Sequence, residues 1–455
     1  YKTDGYLKIS LGGYRENDFT MIMGFPGSTD RYATSYEIDE MTRVSGPQRI
    51  AIRGARQEIL KEDMAASDKV RIQYASKYDM SSNYWKNTIG MIRGIDRLKV
   101  KSRKESAENA FQLWAIRNSS SEDEYNLALG MIFQAVEQNK PLLGPLQYLE
   151  EAMLNAVEII TPAYTAYEIL GQKMKEAEAR EELKEFYAGF YKDYNEPTDR
   201  KVAKKMIRMV RWNVKDLPEV LSSVIDTEFG GDIDAYVDYL YDNSVFVSEQ
   251  RALSATPEQI EYDPAFILAS SVIDKMNEWN RKSMDNRVEK MFGQYLYIRG
   301  LMERQPERAW YPDANFTIRL TYGRVLPYRL ETGGVSDWYT TLDGVMAKED
   351  TTSTEFIVPR RLKELYEAKD YGRYANEKGE LPVAFLSDCD ITGGNSGSPM
   401  MNGRGELIGL AFDGNWESMS CNVAFEPEVQ RAIGVDVRYV LFVIDKFAGA
   451  DWLLD

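Results

Sequence analysis

The sequence predicts an α+β protein in which a β-barrel is interrupted by a large inserted α-helical domain. Strand-like alternation occurs at both ends of the 455-residue chain, and helical periodicity dominates the stretch between them. A helical domain followed by an independent β domain is the competing arrangement, but it leaves the N-terminal strand pattern without a partner strand. We therefore expect a barrel segment in 1–34, an inserted helical domain in 35–312, and the remainder of the barrel in 313–455.

The N-terminal segment contains two strand patterns and one tight turn. Residues 6–11 have the composition of a strand, and residues 19–23 form a second strand pattern before the turn Gly-Phe-Pro-Gly of residues 24–27. The chain opens in this strand pattern without an initiator Met or an apolar leader. We expect it to be a fragment or a processed piece of a longer protein.

The middle region has the periodicity of amphipathic helices, and Pro141 and Pro145 predict a loop between two of them. The helical patterns cover 48–77, 105–117, 124–138, 145–160, 164–191 and 198–214.

The C-terminal region returns to short runs rich in β-branched and aromatic residues. These runs are 316–322, 381–386, 407–412 and 435–444. Asp436 and Arg438, at the last run, are expected to form a structural ion pair.

Composition narrows the classes of function. A formal net charge of −16 disfavours a nucleic-acid groove, and no run reaches the ~18 apolar residues of a membrane span. The two cysteines, Cys389 and Cys421, fit no metal spacing, and nothing else in the sequence implies a metal or a cofactor. They form either one disulfide or two unpaired thiols, and the sequence leaves both possibilities open.

Residues 393–399 read Gly-Gly-Asn-Ser-Gly-Ser-Pro, the signature of a nucleophilic serine in a chymotrypsin-like barrel. Glycine lets such a loop direct the backbone N–H groups of Gly394 and Ser396 at a developing oxyanion. The same composition occurs in ordinary turns, but here strand patterns lie on both sides. The chain contains no histidine, so the usual general base for Ser396 is missing from these residues.

Five segments together closely resemble the bacterial dipeptidyl peptidase 7 and dipeptidyl peptidase 11 family, and the resemblance covers essentially the whole chain. They are residues 18–27, 82–87, 390–399, 409–416 and 435–440.

The resemblance implies a chymotrypsin-like double barrel with an inserted helical domain, of which this chain carries the second barrel. It implies a serine exopeptidase that releases dipeptides from oligopeptides with a free N-terminus. It also implies a homodimer in the periplasm or at the cell surface of a Gram-negative bacterium. The family's catalytic His and Asp precede the matched segment, so we expect the chain by itself to be inactive.

Residue roles follow from the same resemblance. Ser396 matches the nucleophile, and Gly394 with Ser396 matches the oxyanion donors. Gly414 matches the specificity position, where glycine resembles members that accept hydrophobic residues before the cut. Asp413 and Asn83 match groups that hold the substrate's α-amine, and the nearby Trp85 is assigned to substrate binding.

Asn395 stands where trypsin-like zymogens have an aspartate that pairs with a freed N-terminus. An amide cannot form that ion pair, so we expect no switch of this kind.

Two other functions remain in view. One is a catalytically inactive, peptide-binding relative that has lost its base. The other is a Ser–Lys hydrolase using Lys378 or Lys446, which requires a lysine with a depressed pKa near Ser396.

Overall fold

The computed structural model describes residues 3, 5–120, 124–171, 176–353 and 355–454. They divide into two compact units. The sheet unit comprises Tyr1–Ala33, Arg93–Val100 and Ala309–Asp455, and the helical unit comprises Thr34–Ile92 and Lys101–Arg308. The segment Arg93–Val100 clusters with the sheet unit, although its sequence pattern places it in the helical region.

Fourteen α-helices occupy the described part of residues 34–308, and the end of α3 belongs to the sheet unit. They are α1 (Ser35–Glu40), α2 (Gly46–Ala66), α3 (Asp68–Arg97), α4 (Val100–Asn118), α5 (Ala128–Tyr148), α6 (Ile160–Gly171), α7 (Glu176–Lys192), α8 (Glu196–Asn213), α9 (Ile225–Glu228), α10 (Ile233–Asn243), α11 (Glu249–Ser254), α12 (Pro257–Glu261), α13 (Pro264–Lys282) and α14 (Met284–Arg304).

Local sequence explains where several of these helices begin. The side chains of Asn195, Asp232 and Asp263 accept backbone N–H groups at the starts of α8, α10 and α13. Such a cap is worth about 1 kcal/mol because it satisfies donors that have no partner within the helix. The buried faces meet in one core containing the fully buried aromatic residues Tyr187, Tyr241 and Trp279.

The loop predicted at Pro141 and Pro145 is wrong, because both prolines lie inside α5. Proline normally interrupts a helix, since it lacks an N–H and its ring clashes with the preceding turn. Here α5 packs along α14. This packing offsets the poor local propensity.

Seven strands form one antiparallel sheet in the order β2-β1-β5-β6-β7-β4-β3. The strands are β1 (Phe19–Gly24), β2 (Arg319–Arg324), β3 (Tyr339–Thr341), β4 (Pro382–Ser387), β5 (Pro399–Met401), β6 (Leu407–Gly414) and β7 (Ala432–Asp436). β1 pairs with β2 from Phe19↔Arg324 to Gly24↔Arg319 and with β5 at Met21↔Met401. An N-terminal strand therefore does pair with strands from the region after residue 313.

The fold is mixed helix and antiparallel sheet, and the sheet is not closed by continuous ladders. β2 and β3 are its edge strands among the described residues. A single bridge joins Val325, which follows β2, to Ser387 at the end of β4. Beside it, the N–H of Leu326 donates to the carbonyl of Leu386 (3.1 Å).

Two strand predictions are corrected by the structure. Residues 6–11 form no ladder; only Ile9 bridges Leu407, and the side chain of Tyr6 is largely exposed. The run 435–444 is a strand only as far as Asp436.

Three α-helices lie in the C-terminal part of the sheet unit that the structure describes. They are α15 (Leu342–Ala347), α16 (Arg360–Glu367) and α17 (Val437–Phe442). The buried carboxylate of Asp436 accepts the N–H of Arg438 (2.8 Å) and so caps α17. Asp436 also pairs with the Arg438 guanidinium, as expected from the sequence.

The segment Arg93–Val100 contacts the rest of the sheet unit through one close approach and three ion pairs, one of them between Arg97 and Glu417 (3.6 Å). A Cβ added to Gly94 would lie 2.8 Å from the Cβ of Ser420, so only glycine fits there without a shift. Arg93 and Arg97 both pair with Glu331, at 2.7 and 2.8 Å. These contacts explain why the end of α3 clusters with the sheet.

Candidate active site

The loop between β4 and β5 carries the predicted nucleophile. Ser396 is exposed in a turn, whereas Asn395 before it is buried. Two backbone hydrogen bonds attach the loop to β6: the N–H of Gly397 donates to the carbonyl of Ala411 (2.7 Å), and the N–H of Ala411 donates to the carbonyl of Ser398 (2.8 Å). An exposed hydroxyl on a backbone fixed in this way can meet a substrate without reorganisation of the loop.

Gly394 occupies a position that only glycine fits. Its φ of +101° lies in the left-handed region, and an added Cβ would lie 2.4 Å from the carbonyl oxygen of Phe25. Nearby, the N–H of Gly27 donates to the carbonyl of Gly393 (2.6 Å). The turn of residues 24–27 therefore supports the serine loop from behind.

The backbone amides of this loop differ in their partners. The N–H of Asn395 donates to the carbonyl of Thr392 (3.2 Å). In the part of the chain that the structure describes, no acceptor takes the N–H of Gly394 or of Ser396. Two available amides separated by one intervening residue are the donors that an oxyanion requires. Their catalytic role stays a prediction.

The side chain of Asn395 is held by neutral contacts. Its amide nitrogen donates to the carbonyl of Thr392 (3.2 Å). A Cβ added to Gly24 would lie 2.6 Å from the Asn395 amide oxygen, so the backbone of Gly24 packs directly against it. Within the described residues, no cation pairs with this side chain.

Asp413 and Gly414 end β6, beside the serine loop's partner residue Ala411. The Asp413 side chain is exposed and accepts the N–H of Gly414 (2.8 Å). A Cβ added to Gly414 would lie 2.9 Å from the Cβ of Ser418, so the space at Gly414 is not open on that side. Ser418 therefore narrows the space that the missing side chain of Gly414 leaves.

The wall behind Gly414 is fixed by Asn415 and Arg431, which the sequence analysis did not identify. The side-chain oxygen of Asn415 accepts the backbone N–H of Arg431 (2.9 Å), and its side-chain nitrogen donates to the carbonyl of Val429 (2.8 Å). The buried guanidinium of Arg431 donates to the carbonyls of Pro327 and Pro427. Burial lowers the pKa of Arg431.

An ion pair that sequence reasoning missed lies at the base of the serine loop. The guanidinium of Arg31 donates to both oxygens of Asp390, at 2.8 Å each, and stacks near the ring of Phe425. Burial lowers the pKa of Arg31, but the hydrogen bonds to Asp390 more than offset this, so its pKa is raised. Asp390 stands six residues before Ser396, which is the one local signal that could have identified it.

Cys389 and Cys421 are unpaired and buried. The thiol of Cys421 donates to the carbonyl of Ile391 (3.3 Å), and the thiol of Cys389 lies 3.7 Å from the carbonyl of Thr20. Burial raises the pKa of each to about 12. They remain protonated at neutral pH and supply no nucleophile.

Lys378 and Lys446, the alternative candidates for the general base, both have raised pKa values. Hydrogen bonding to Tyr339 raises the pKa of Lys378, and hydrogen bonding to Asp370 raises the pKa of Lys446. A lysine general base needs a lowered pKa. The Ser–Lys mechanism is therefore disfavoured at both positions.

The remaining predicted residues belong to the helical unit. Asn83 and Trp85 lie on α3; Asn83 is exposed, and the indole N–H of Trp85 donates to the carbonyl of Ile50 (3.0 Å). The sheet unit thus brings together Gly394, Ser396, Asp413 and Gly414 but does not contain these two.

The described residues contain neither a candidate membrane span nor a candidate metal site. Across the described residues, no helix is long and apolar enough to cross a bilayer. In the same residues, no group of three or more His, Cys, Asp or Glu side chains is arranged to hold a metal ion.

Comparisons with known proteins agree on one family. The Peptidase S46 family model matches residues 1–455. The chain is 45% identical to Dipeptidyl-peptidase 7 of Phocaeicola vulgatus, over 100% of this chain and 64% of that protein. It is 38% identical to the Asp/Glu-specific dipeptidyl-peptidase of Porphyromonas gingivalis, again over 100% of this chain and 64% of the relative. The chain thus spans less than two thirds of the length of these relatives.

A solved structure has the same fold. The crystal structure of Porphyromonas endodontalis DPP11 in complex with the dipeptide Arg-Glu superimposes with a TM-score of 0.90 at 31% identity. The match covers 100% of this chain and 66% of that one.

Proposed function

The chain belongs to the peptidase S46 family, and on that basis we propose that it carries the nucleophile of a serine-type dipeptidyl peptidase. The single observation that carries this proposal is the serine loop. Ser396 is exposed on a backbone fixed to β6, and the amides of Gly394 and Ser396 are available beside it. An acyl transfer needs this pairing of a nucleophile with oxyanion donors.

We propose that the general base and its orienting carboxylate come from a part of the whole protein outside these 455 residues. These residues contain no histidine, and the chain spans 64% of the length of the two dipeptidyl peptidases compared above. We expect the 455-residue chain alone to be inactive. The sheet, with its single bridge between Val325 and Ser387, is proposed to form one barrel of a chymotrypsin-like pair.

Substrate recognition is proposed at the end of β6. Asp413 offers an exposed carboxylate for the ammonium of an oligopeptide N-terminus, and Gly414 leaves the specificity position uncharged, which favours a hydrophobic residue before the cut. Roles for Asn83 and Trp85 rest on the family resemblance alone. On the same ground we propose a homodimer located in the periplasm or at the cell surface of a Gram-negative bacterium.

The test of catalysis uses the whole protein and fluorogenic dipeptidyl substrates. Ser396→Ala should lower kcat/KM by at least ~10³-fold, because no other described group is placed to replace the hydroxyl. Ser398→Ala, in the same loop, is the matched control and should retain most of the activity.

Three results would each contradict a part of the proposal. Unchanged turnover in Ser396→Ala would show that Ser396 is not the nucleophile. If the whole protein binds peptides but hydrolyses none, the inactive peptide-binding alternative is correct instead. Equal turnover of N-acetylated substrates would show that the free amine is not recognised.

Specificity is tested separately at Gly414. In the whole protein, Gly414→Arg should shift preference from a substrate ending in Leu toward one ending in Asp, because a guanidinium pairs with a carboxylate and is left desolvated against an apolar side chain. Any side chain at this position must displace Ser418, so Gly414→Ala is the control that adds the Cβ without the charge. An unchanged kcat/KM for the Leu substrate in the Arg variant would remove Gly414 from the specificity pocket.

A further inference from the structure

A cavity of about 560 Å³ lies within the helical unit and is lined mainly by charged side chains. Its walls come from α2, from α3 and from the segment between α5 and α6, which begins as the π-helix Leu149–Leu154. The volume falls in the range of ligand pockets, ~300–1,000 Å³, and is far larger than a bare ion needs. No residue of the serine loop takes part in it.

The centre of the cavity is a carboxylate shared by two arginines. Glu151 is almost fully buried and accepts the Nε–H of Arg49 and the Nε–H of Arg53, each at 2.8 Å. The Arg53 guanidinium also lies 5.0 Å from the ring centroid of Tyr84, so its plane is constrained on a second side. Both guanidinium groups are thus held in place through Nε, before any ligand is present.

The terminal N–H groups of these two arginines remain unused. Among the residues that the structure describes, Arg49 and Arg53 each make hydrogen bonds only through Nε. Arginine presents its terminal donors as a rigid planar fork that matches the two oxygens of a carboxylate. Two such forks, fixed on the same carboxylate, form a preorganised anion receptor.

A third arginine in the cavity wall is also incompletely satisfied. The Nε–H of Arg56 is buried and has no hydrogen-bond partner in the described part of the chain. Arg56 lies 3.6 Å from Glu158, a carboxylate that Lys77 already neutralises. A buried donor without a partner is costly, and its charge adds to the positive potential of this wall.

The balance of charge indicates a monoanion. Four cationic and three carboxylate side chains line the cavity, which leaves one excess positive charge. Met80 and Tyr84, which are both exposed, add apolar surface to the wall. A compact inorganic ion would leave that surface unused, whereas a small organic carboxylate would contact both parts.

We propose that this cavity binds a small carboxylate-bearing molecule of amino-acid or short-peptide size. Its carboxylate is held by the terminal N–H groups of Arg49 and Arg53, and its apolar part lies against Met80 and Tyr84. The proposal uses no residue of the serine loop, although Tyr84 stands between Asn83 and Trp85, the two residues of the helical unit proposed to bind substrate.

Isothermal titration calorimetry in a low-chloride buffer tests the proposal on the purified protein. The probes are N-acetyl-Ala-Ala, the same peptide as its C-terminal amide, and inorganic phosphate. The acetyl group removes the ammonium that Asp413 would recognise, so binding at the candidate active site is not favoured. We expect the free acid to bind at least tenfold more tightly than the amide.

Variants then assign the binding to the cavity. Arg49→Gln and Arg53→Gln should each weaken the acid at least tenfold, whereas Arg71→Gln removes the same charge from an exposed ion pair on α3 and should change nothing. Arg49→Lys keeps the charge without the planar fork and should also bind weakly. If the glutamine variants fold poorly, Arg49→Lys and the comparison of acid with amide in the unmodified protein still test whether the cavity binds a carboxylate.

Several outcomes would overturn the proposal. Equal affinity for acid and amide, or no binding by any probe, would show that the charged cluster is only a structural network. Binding of phosphate alone would assign the cavity to an inorganic anion. If Arg49→Gln and Arg53→Gln bind the free-acid peptide as tightly as the unmodified protein does, the ligand binds outside this cavity.

Discussion

At the residue scale, the candidate site depends on backbone positions that exclude side chains. Gly394 combines a left-handed φ with a carbonyl oxygen 2.4 Å from where its Cβ would lie. Neither feature can be relieved by rotating a flexible neighbour, because the obstructing atom belongs to the backbone of Phe25. The geometry of the two available amides therefore depends on this glycine.

Gly394→Ala should lower the free energy of unfolding by about 1–3 kcal/mol, because strain at a left-handed position adds to the contact with Phe25. Urea denaturation measures it. Gly393→Ala is the matched control: its Cβ meets nothing within 4 Å, and its φ is not left-handed. Equal stability of the two variants would contradict the structural argument.

A second residue-scale prediction concerns the buried carboxylate of Asp199. It accepts the N–H of Glu158 (2.7 Å) and of Ile159 (2.9 Å). Burial, reinforced by the nearby Glu158 carboxylate, raises the pKa of Asp199 well above the ordinary value of ~4. The folded state therefore holds this proton more tightly than the unfolded state, so the stabilisation is complete below pH ~4 and is lost as the pH rises through the raised pKa.

Asp199→Asn should remove this contribution and flatten the decline of stability between pH 5 and pH 8, as measured by urea unfolding. Asp234→Asn, which changes an exposed carboxylate paired with Arg208, is the control and should leave the slope unchanged. If stability depends on pH in Asp199→Asn as it does in the unmodified protein, Asp199 is ionised throughout this range.

At the scale of the element, the end of α3 is fixed to the sheet unit by its closest contact. Gly94→Ala should destabilise the protein by about 1–3 kcal/mol, because the new Cβ would overlap Ser420. Gly189→Ala is the control, and it should change the stability in the opposite direction. It lies inside α7 with open space around it, so alanine should stabilise the helix by about 0.5–1 kcal/mol. Thermal unfolding of both variants distinguishes these effects, and a gain in Gly94→Ala would refute the contact.

Sequence patterns predicted elements where local propensity and tertiary environment agree. The strands at 381–386 and 407–412 correspond to β4 and β6, since each is bounded by turn residues and buried in part. The run 435–444 failed because a short apolar stretch is compatible with either strand or helix. Asp436 caps the start of α17, but the sequence analysis predicted only its ion pair with Arg438.

Sequence reasoning could predict only those parts of the candidate site whose residues are close together in the sequence. Ser396 and its glycines stand in one heptapeptide, so the motif and the strand patterns on both sides of it were enough to predict a candidate site. Arg31 and Asp390 are 359 positions apart, and no local pattern announces their pairing. Ser418 beside Gly414 was missed for a related reason, since the direction of a Cβ is set by the folded backbone.

At the scale of the whole molecule, the formal net charge of −16 makes self-repulsion a general destabilising force. Raising the ionic strength from about 10 to 150 mM shortens the screening length from ~30 to ~8 Å. We expect the Tm to rise by ~2–4 °C over this range. A fall in Tm, recorded by calorimetry, would show that screened ion pairs outweigh the repulsion.

The pairing of β1 with β2 has a consequence for synthesis on the ribosome. β1 emerges about 300 residues before the strand that pairs with it along its whole length. At ~5–20 residues per second, it waits ~15–60 s with both edges open, while the helices between can already fold. Its apolar residues are exposed to aggregation during that interval. The order of translation thus gives the nascent chain a vulnerable period that ends only when β2 and β5 have been made.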